Sequence, residues 1–464
     1  MDEATLGAKV SELATELDVT GVSVGIYHQG EEHYAYHGVT SVENPLEVDE
    51  NTLFQFGSTG KTYTATAMMR LVERGDVELE APVRKYLPDL KLKDPDVAER
   101  VTILQLFNHT AGWSGDLMTD TGDGDDALAK YVALMADIEQ VTPLGQSVSY
   151  NNASLSLAGH VIATVTGTTY EKAMRELIFE PIGLKNTFFF PNDIMTRRFA
   201  VGHNKKPDGT IHVARPWLFS RGGWPAGGMS ANSKDQVLWA RFHLGDGTGA
   251  DGTRVLSKEL LDLMKQPTVA TPGSALGDHI GISWMLRDVE GVRLVGHGGD
   301  TVGQHSAFTM VPERDFAVSI MTNSSTGTEL NEKLSRWALE EYLGVVETDP
   351  EPILLGDEAL APYTGRFETI AATVDITVRQ GLLVAEVALK PETIKELMEA
   401  GEDPPEPEPI LLGLLEEGGD RYVVAEGVAK GMKGYFSRNP QGEIDAVHVG
   451  GRLATRVAKE PAAV

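Results

Sequence analysis

The sequence predicts an α+β fold. An antiparallel sheet flanked by helices is assembled from both ends of a long first region, with a helical insertion between them, and a small antiparallel β-barrel follows. Three observations carry this reading. Runs rich in β-branched and aromatic residues open the chain at 21–39 and return at 292–322. Between them, apolar residues recur at helical spacing or sit among Gly, Pro and Asn loops. Beyond residue 362 the chain consists mainly of short alternating runs separated by turn residues.

In chain order, VSVGIYH and HYAYHGV flank the polar turn Gln29-Gly30-Glu31-Glu32, a hairpin pattern. From Ser58 the period changes: Ala65, Met68, Met69, Leu71 and Val72 share helical spacing, and Gly75-Asp76 supplies a stop. The middle, about 60–290, reads as mainly helical pieces and loops, with helices expected at 153–165 and 234–244. Strands return at 292–295, 306–311 and 316–322, the last two joined by the turn Pro312-Glu313-Arg314-Asp315. A helix with Leu330, Leu334, Trp337, Ala338 and Tyr342 on one stripe closes at Gly344. Residues 346–362, with Asp349-Pro350-Glu351-Pro352, read as an extended acidic linker between a domain at 1–345 and a β-rich domain at 363–464. Inside the second domain, 401–409 is too polar and Pro-rich for a strand and is expected to project as a loop.

Composition bounds the chemistry. The 464 residues hold 40 Lys and Arg against 68 Asp and Glu, a net charge of −28, and no cysteine. Disulfides, zinc–thiolate sites, iron–sulfur clusters and cysteine nucleophiles are thereby excluded. So acidic a chain is ill-suited to nucleic acid or anionic membrane, both polyanions. The N-terminal stretch is acidic and no run approaches 18 apolar residues, so no membrane span and a cytoplasmic location are expected, unless a signal has been removed. No metal-ligand spacing appears, and neither metal nor cofactor is expected. The expected partner is a small-molecule or peptide substrate, alongside assembly into a homo-oligomer.

The sharpest local feature is Gly57-Ser58-Thr59-Gly60-Lys61 at the start of the first strong helix. Residues i and i+3 share a helix face, so the Lys61 amine can reach the Ser58 hydroxyl. A serine hydroxyl is a weak nucleophile until a base takes its proton. If Ser58 begins the helix, its own N–H is free to donate to a developing oxyanion. Alone the pattern is weak, since Ser-x-x-Lys arises about once by chance in a chain of this length. Gly60-Lys61-Thr62 also resembles the end of a phosphate-binding loop, but position 55 is Gln where that motif requires Gly. The G-x-S-x-G pattern of another hydrolase class is absent. Two further pieces follow in order: Tyr150-Asn151-Asn152 in a loop ahead of a helix, and His297-Gly298-Gly299, read as closing the strand at 293–295.

With Ser-x-x-Lys, Tyr-x-Asn and His-Gly-Gly in this order, the sequence resembles the serine β-lactamase and penicillin-binding-protein superfamily. Within it the class C β-lactamase-like branch fits, which also holds family VIII esterases, D-aminopeptidases and related serine peptidases. The resemblance covers about residues 5–345 and includes Phe54-Gln55-Phe56-Gly57-Ser58, Tyr86-Leu87-Pro88, Leu106-Phe107-Asn108-His109-Thr110-Ala111-Gly112, Pro181-Ile182-Gly183-Leu184 and Ala226-Gly227-Gly228-Met229. It implies Ser58 as acylated nucleophile, Lys61 as its proton partner and Tyr150 as general base or shuttle. It also implies that Asn152 binds the acyl side of the substrate and that the Asp300 N–H, after Gly298 and Gly299, is the second oxyanion donor. His297 stands where many relatives carry lysine. The C-terminal domain resembles the lipocalin-like barrels appended in this branch, expected to cover the cleft or build an oligomer interface.

Neither Lys, with pKa about 10.4, nor Tyr, about 10, is a base at pH 7 unperturbed, so Lys61 and Tyr150 are expected to titrate as a coupled pair, with the deprotonating group left open. Histidine at 297 is mostly neutral at pH 7 and lacks the fixed cation that suits a substrate carboxylate. The expected activity is therefore that of an esterase or amidopeptidase. A β-lactamase or D-Ala-D-Ala carboxypeptidase is the alternative within the family, and a non-catalytic penicillin-binding-like sensor or scaffold is the alternative outside enzymes. Of the other histidines, His109 is expected in packing at a helix end and His28, His33 and His37 on the surface, while His305 reads either as lining the cleft or as a strand start.

Overall fold

The computed structural model describes residues 3–117, 119–206, 208–217, 219–399, 408–427 and 429–457. Its centre is an eight-stranded antiparallel sheet. In chain order the strands are β1 (Gly21–His28), β2 (Glu31–Gly38), β3 (Val269–Ser274), β4 (Gly277–Ile280), β5 (Met285–Val289), β6 (Val292–Thr301), β7 (Gln304–Val311) and β8 (Phe316–Thr322). Their order in the sheet is β2-β1-β8-β7-β6-β5-β4-β3. The first hairpin is thus joined to the last strand, in the register Val22↔Thr322 to His28↔Phe316, and both ends of the region build one sheet.

Helices α1 (Glu3–Glu16) and α5 (Gly327–Leu343) cover one face. Leu6, Val10, Leu330 and Leu334 pack there on Val24, Ile26, Val318 and Ile320. The opposite face carries the larger core and three helices that matter for the site: α2 (Gly60–Glu73), α3 (Asn152–Thr166) and α4 (Ser233–Leu244). Helix α2 is buried from Gly60 through Met69, the pattern of a helix at the centre of a core rather than on its surface. Each fully buried Phe or Met in this core, such as Phe308 and Met310, stabilises the fold by about 1.5–3 kcal/mol.

The structure departs from the sequence reading in four places. Strands β3 to β5 occupy a stretch, 269–289, that reads as helix and loop, because Pro272-Gly273 and a register shift between Ala270 and Ser274 break the alternation. The His297-Gly298-Gly299 run lies inside β6, which continues to Thr301 with Gly298↔Ala307 and Gly299↔Ser306 paired to β7. Ser58 lies in a 3₁₀ turn, Gly57–Thr59, immediately before α2. His28 and His33 are half-buried against Tyr342 of α5, with ring centroids 5.6 and 6.0 Å away, rather than at the free surface.

Eight further strands close a barrel: β9 (Gly365–Glu368), β10 (Ala372–Arg379), β11 (Leu382–Leu389), β12 (Ile410–Leu414), β13 (Arg421–Val424), β14 (Lys433–Arg438), β15 (Ile444–Val449) and β16 (Arg452–Arg456). Each pairs with the next, and β16 returns to β9 through Phe367↔Arg456. Phe367, Leu383, Tyr422, Phe436 and Val447 fill it. The chain between the two bodies holds a short helix, Asp357–Leu360. Of the loop expected at 401–409, residues 401–407 lie outside the described residues. Among the described residues, no helix is long and apolar enough to cross a membrane.

Candidate active site

The turn carrying Ser58 is pinned between β6 and β7. Thr59 Oγ1 donates to His297 O at 3.1 Å and lies 2.9 Å from Ser306 Oγ, and Ser306 Oγ donates to Phe56 O at 2.8 Å. The approach is so close that side chains are excluded. A Cβ at Gly299 would stand 2.1 Å from Phe56 O and 2.7 Å from Ser58 N, and one at Gly57 would stand 2.7 Å from Asp300 N. Gly57 also has φ +49°, a left-handed conformation that glycine adopts without strain. The glycines let the Ser58 turn lie directly against the backbone at Asp300, with no side chain between them.

Lys61 follows one turn later, as the i, i+3 spacing predicts. Its Nζ donates to Ser58 Oγ at 2.9 Å and to Ala226 O at 2.7 Å, and it lies 4.9 Å from the centre of the Tyr150 ring. The side chain is fully buried. Burial drives its pKa well below the usual lysine value, opposed in part by the nearby Asp116 and Asp300 carboxylates and helped by Arg452. Tyr150 shares a hydrogen bond with Ser58, and burial pushes its phenol upward.

Tyr150 and Asn152 are placed by the residue between them. Asn151 caps α3, its Oδ1 accepting from Ser154 N at 2.8 Å and from Trp113 Nε1 at 3.2 Å while its Nδ2 donates to Trp113 O at 2.9 Å. Its own N–H donates to His109 Nδ1 at 3.2 Å. The expected packing role of His109 is what the structure shows, and its buried ring also lies 4.7 Å from that of Tyr150. Asn152 Nδ2 donates to Asp116 Oδ1 at 2.6 Å.

On the sheet side, His297 is buried, with its ring 6.2 Å from Tyr150 and Nδ1 donating to Gly298 O at 2.5 Å. Desolvation, aided by the Lys61 charge, lowers its pKa to about 3, so it is a neutral imidazole at pH 7. His305 sits beside the cleft and pairs with Asp300 at 2.5 Å. The structure therefore brings Ser58, Lys61, Tyr150, Asn152, His297, Gly298, Gly299 and Asp300 together around one cleft.

It also adds residues that no motif announces. The turn between β15 and β16 of the barrel enters the same cleft: Gly451 O accepts from Tyr150 N at 2.9 Å, and Leu453 N donates to Ser149 Oγ at 3.2 Å. Arg452 pairs with Asp116 at 2.9 Å and holds its guanidinium 5.3 Å from the Tyr150 ring centre. Asp116 and Arg452 lie far from the three motifs in sequence, and only an alternating strand bounded by Gly450-Gly451 hints at Arg452, whereas Ala226 heads the Ala226-Gly227-Gly228-Met229 match.

A serine, a buried lysine one turn on, and a tyrosine hydrogen-bonded to that serine agree with the comparison of the whole sequence. Residues 6–342 match the family model described as Beta-lactamase. The chain belongs to the β-lactamase family. Among its curated relatives, penicillin-binding protein 4 of Amycolatopsis lactamdurans is 33% identical over 377 residues, covering 79% of this chain and 98% of the relative. The crystal structure of SurE superposes with a TM-score of 0.77 at 26% identity, covering 98% of this chain and 99% of that one. The class C β-lactamase of Rhodobacter sphaeroides shares the fold with a TM-score of 0.59 at 23% identity over 72% of this chain and 98% of its own. The first two differ in extent: the penicillin-binding protein match covers 79% of the chain, whereas the SurE match takes in nearly all of it, barrel included.

Proposed function

We propose that the protein is a serine acyl hydrolase that forms an acyl-enzyme at Ser58 and cleaves ester or amide bonds. The observation that carries this reading is the 2.9 Å contact between Nζ of the fully buried Lys61 and Oγ of the partly exposed Ser58. Burial favours the uncharged amine of Lys61 and the uncharged phenol of Tyr150, which supports Lys61 as the base. Ser58 Oγ attacks the acyl carbon as its proton passes to Lys61. The oxyanion is held by the N–H groups of Ser58 and Asp300. As the carbon–heteroatom bond breaks, the leaving group takes a proton from Tyr150, which Lys61 then reprotonates. Water reverses the sequence to release the acid. Asn152 binds the acyl chain.

The substrate proposed carries no carboxylate next to the scissile bond. His297 is neutral, and the Arg452 cation is already matched by Asp116. A SurE structure determined with D-Leu, from a protein 25% identical to this chain, supports a D-amino-acid unit in that substrate. The similarity to penicillin-binding protein 4 favours a second reading, acylation by β-lactams. We assign the chemistry to residues 1–345, with 346–362 as linker and 363–464 as the barrel domain. The test is mass spectrometry of the intact protein after a fluorophosphonate or penicillin probe, followed by a rate panel of nitrocefin, p-nitrophenyl esters and D-aminoacyl anilides. An adduct at Ser58 and faster turnover of the esters or anilides support the proposal. Absence of any adduct favours a binding protein, and faster turnover of nitrocefin favours the β-lactam reading.

A further inference from the structure

We infer that Arg452, supplied by the barrel, is a positioning residue for acylation: through Asp116 it fixes the Asn152 amide, and its charge offsets that of Asp116 at Lys61. The inference rests on the function proposed above.

The geometry runs in one line. Arg452 Nε donates to Asp116 Oδ2 at 3.0 Å and Nη2 donates to Oδ1 at 3.2 Å, a two-pronged grip that a guanidinium makes on a carboxylate. The same Oδ1 accepts from Asn152 Nδ2 at 2.6 Å. A carboxylate only accepts hydrogen bonds, so it selects the NH₂ end of the Asn152 amide and turns Oδ1 of Asn152 the other way. The turn that presents Arg452 is itself locked by the bonds of Gly451 O to Tyr150 N and Leu453 N to Ser149 Oγ. Gly451 is at φ +80°, and a Cβ there would stand 2.7 Å from the Leu276 side chain, so the turn is seated against the sheet domain.

The electrostatic half follows from what faces Lys61. Tyr150, His109 and Asp116 face it from the helical side, His297 and Asp300 from β6, and Arg452 from the barrel. Asp116 favours the Lys61 ammonium and Arg452 opposes it. An Asp116 without Arg452 stabilises the protonated lysine, which is the form that cannot take a proton from Ser58. Arg452 thus acts on two atoms it does not touch, the amide of Asn152 and the amine of Lys61.

The experiment measures the pH dependence of Ser58 phosphonylation by a fluorophosphonate, which displaces fluoride as Ser58 loses its proton, in the full-length protein and in Arg452→Gln, Asp116→Asn and the double variant, with thermal midpoints recorded for each. The expected signature is a pattern of signs: the acidic limb moves up by about half a unit or more in Arg452→Gln, moves down in Asp116→Asn, and returns near the wild-type position when both charges are gone. A loss of packing alone does not produce opposite shifts. If Arg452→Gln does not fold, Asp116→Asn against wild type decides the electrostatic half, since an unmoved limb there overturns it. Labelling of wild-type Ser58 with limbs that coincide in all folded variants overturns the relay. No labelling of wild-type protein overturns the proposed function instead.

Discussion

Lys61 and Ala226, 165 residues apart in sequence, are joined by a hydrogen bond of 2.7 Å. Ser58 Oγ, 2.9 Å away, is its other partner, so the Lys61 nitrogen is held between a carbonyl that accepts its N–H and the hydroxyl whose proton it takes in the proposed step. The segment that supplies Ala226, the turn Arg221–Ala226, is held in turn by the buried pair of Arg221 with Glu171 at 2.7 Å. The protonation state of one side chain is therefore built from contacts spread over three parts of the chain, and it has a measurable consequence.

Because burial lowers the Lys61 pKa, the acylation rate rises with pH along a limb well below the ordinary lysine value of 10.5. The sign is fixed by the chemistry: loss of a proton from the ammonium creates the base. Lys61→Arg, which stays protonated at every accessible pH, removes that limb along with the activity. Stopped-flow labelling across a pH series measures both.

Ser58→Ala leaves the fold almost unchanged, within about 1 kcal/mol, because the side chain is small and only partly buried. Hydrolysis of the preferred substrate falls by about 10³-fold or more, since the covalent route is gone. Calorimetry and steady-state rates separate the two effects.

Gly299→Ala drives a methyl group into Phe56 O and toward Ser58 N. The backbone has to shift, at a cost of about 1–3 kcal/mol in stability, and kcat drops by about 10²–10³-fold as the N–H groups of Ser58 and Asp300 move apart. Denaturant midpoints and kcat on a p-nitrophenyl ester report these losses.

His297→Lys adds a cation to the cleft. Carboxylate-bearing β-lactams gain about tenfold in apparent affinity, at the scale of a hydrogen bond to a charged group, while neutral esters gain nothing. The comparison is KM for a penicillin against KM for a neutral ester, in variant and wild type.

His297 and His448 each titrate near pH 3 in the fold against 6.5 as free groups, both because burial disfavours the cation. Between those values the unfolded chain holds the additional proton, so stability falls as pH falls from 6.5 toward 3. Each histidine contributes up to about 1.4 kcal/mol per pH unit in that window. Urea midpoints between pH 7 and pH 4 drop accordingly, and replacing His448 with Gln reduces the slope.

Legibility in the sequence followed the range of the interactions. The Ser58–Lys61 pair is local, so helical spacing alone places it. That both ends of the region build one sheet is readable because β1 and β8 are rich enough in β-branched and apolar residues to declare themselves strands. Residues 269–289 concealed three strands, since at an irregular sheet edge side-chain alternation is lost. His297-Gly298-Gly299 reads as a strand exit because consecutive glycines usually end strands; in the fold they continue one, and their lack of side chains lets the turn of Ser58 approach. Neither Asp116 nor Arg452 carries a local signal of its role: the significance of each lies in the other, across 336 residues.

That separation bears on how the molecule acquires its cleft. The contact between Asp116 and Arg452 bridges two bodies with independent cores, and closing so long a loop is slow compared with forming either core. The expected course of refolding is a stage with the Ser58 turn complete and the wall opposite it unfinished. Recovery of Ser58 labelling then lags behind the return of native tryptophan fluorescence, because Trp113, Trp239 and Trp284 are buried in the sheet domain while the wall is supplied by the barrel.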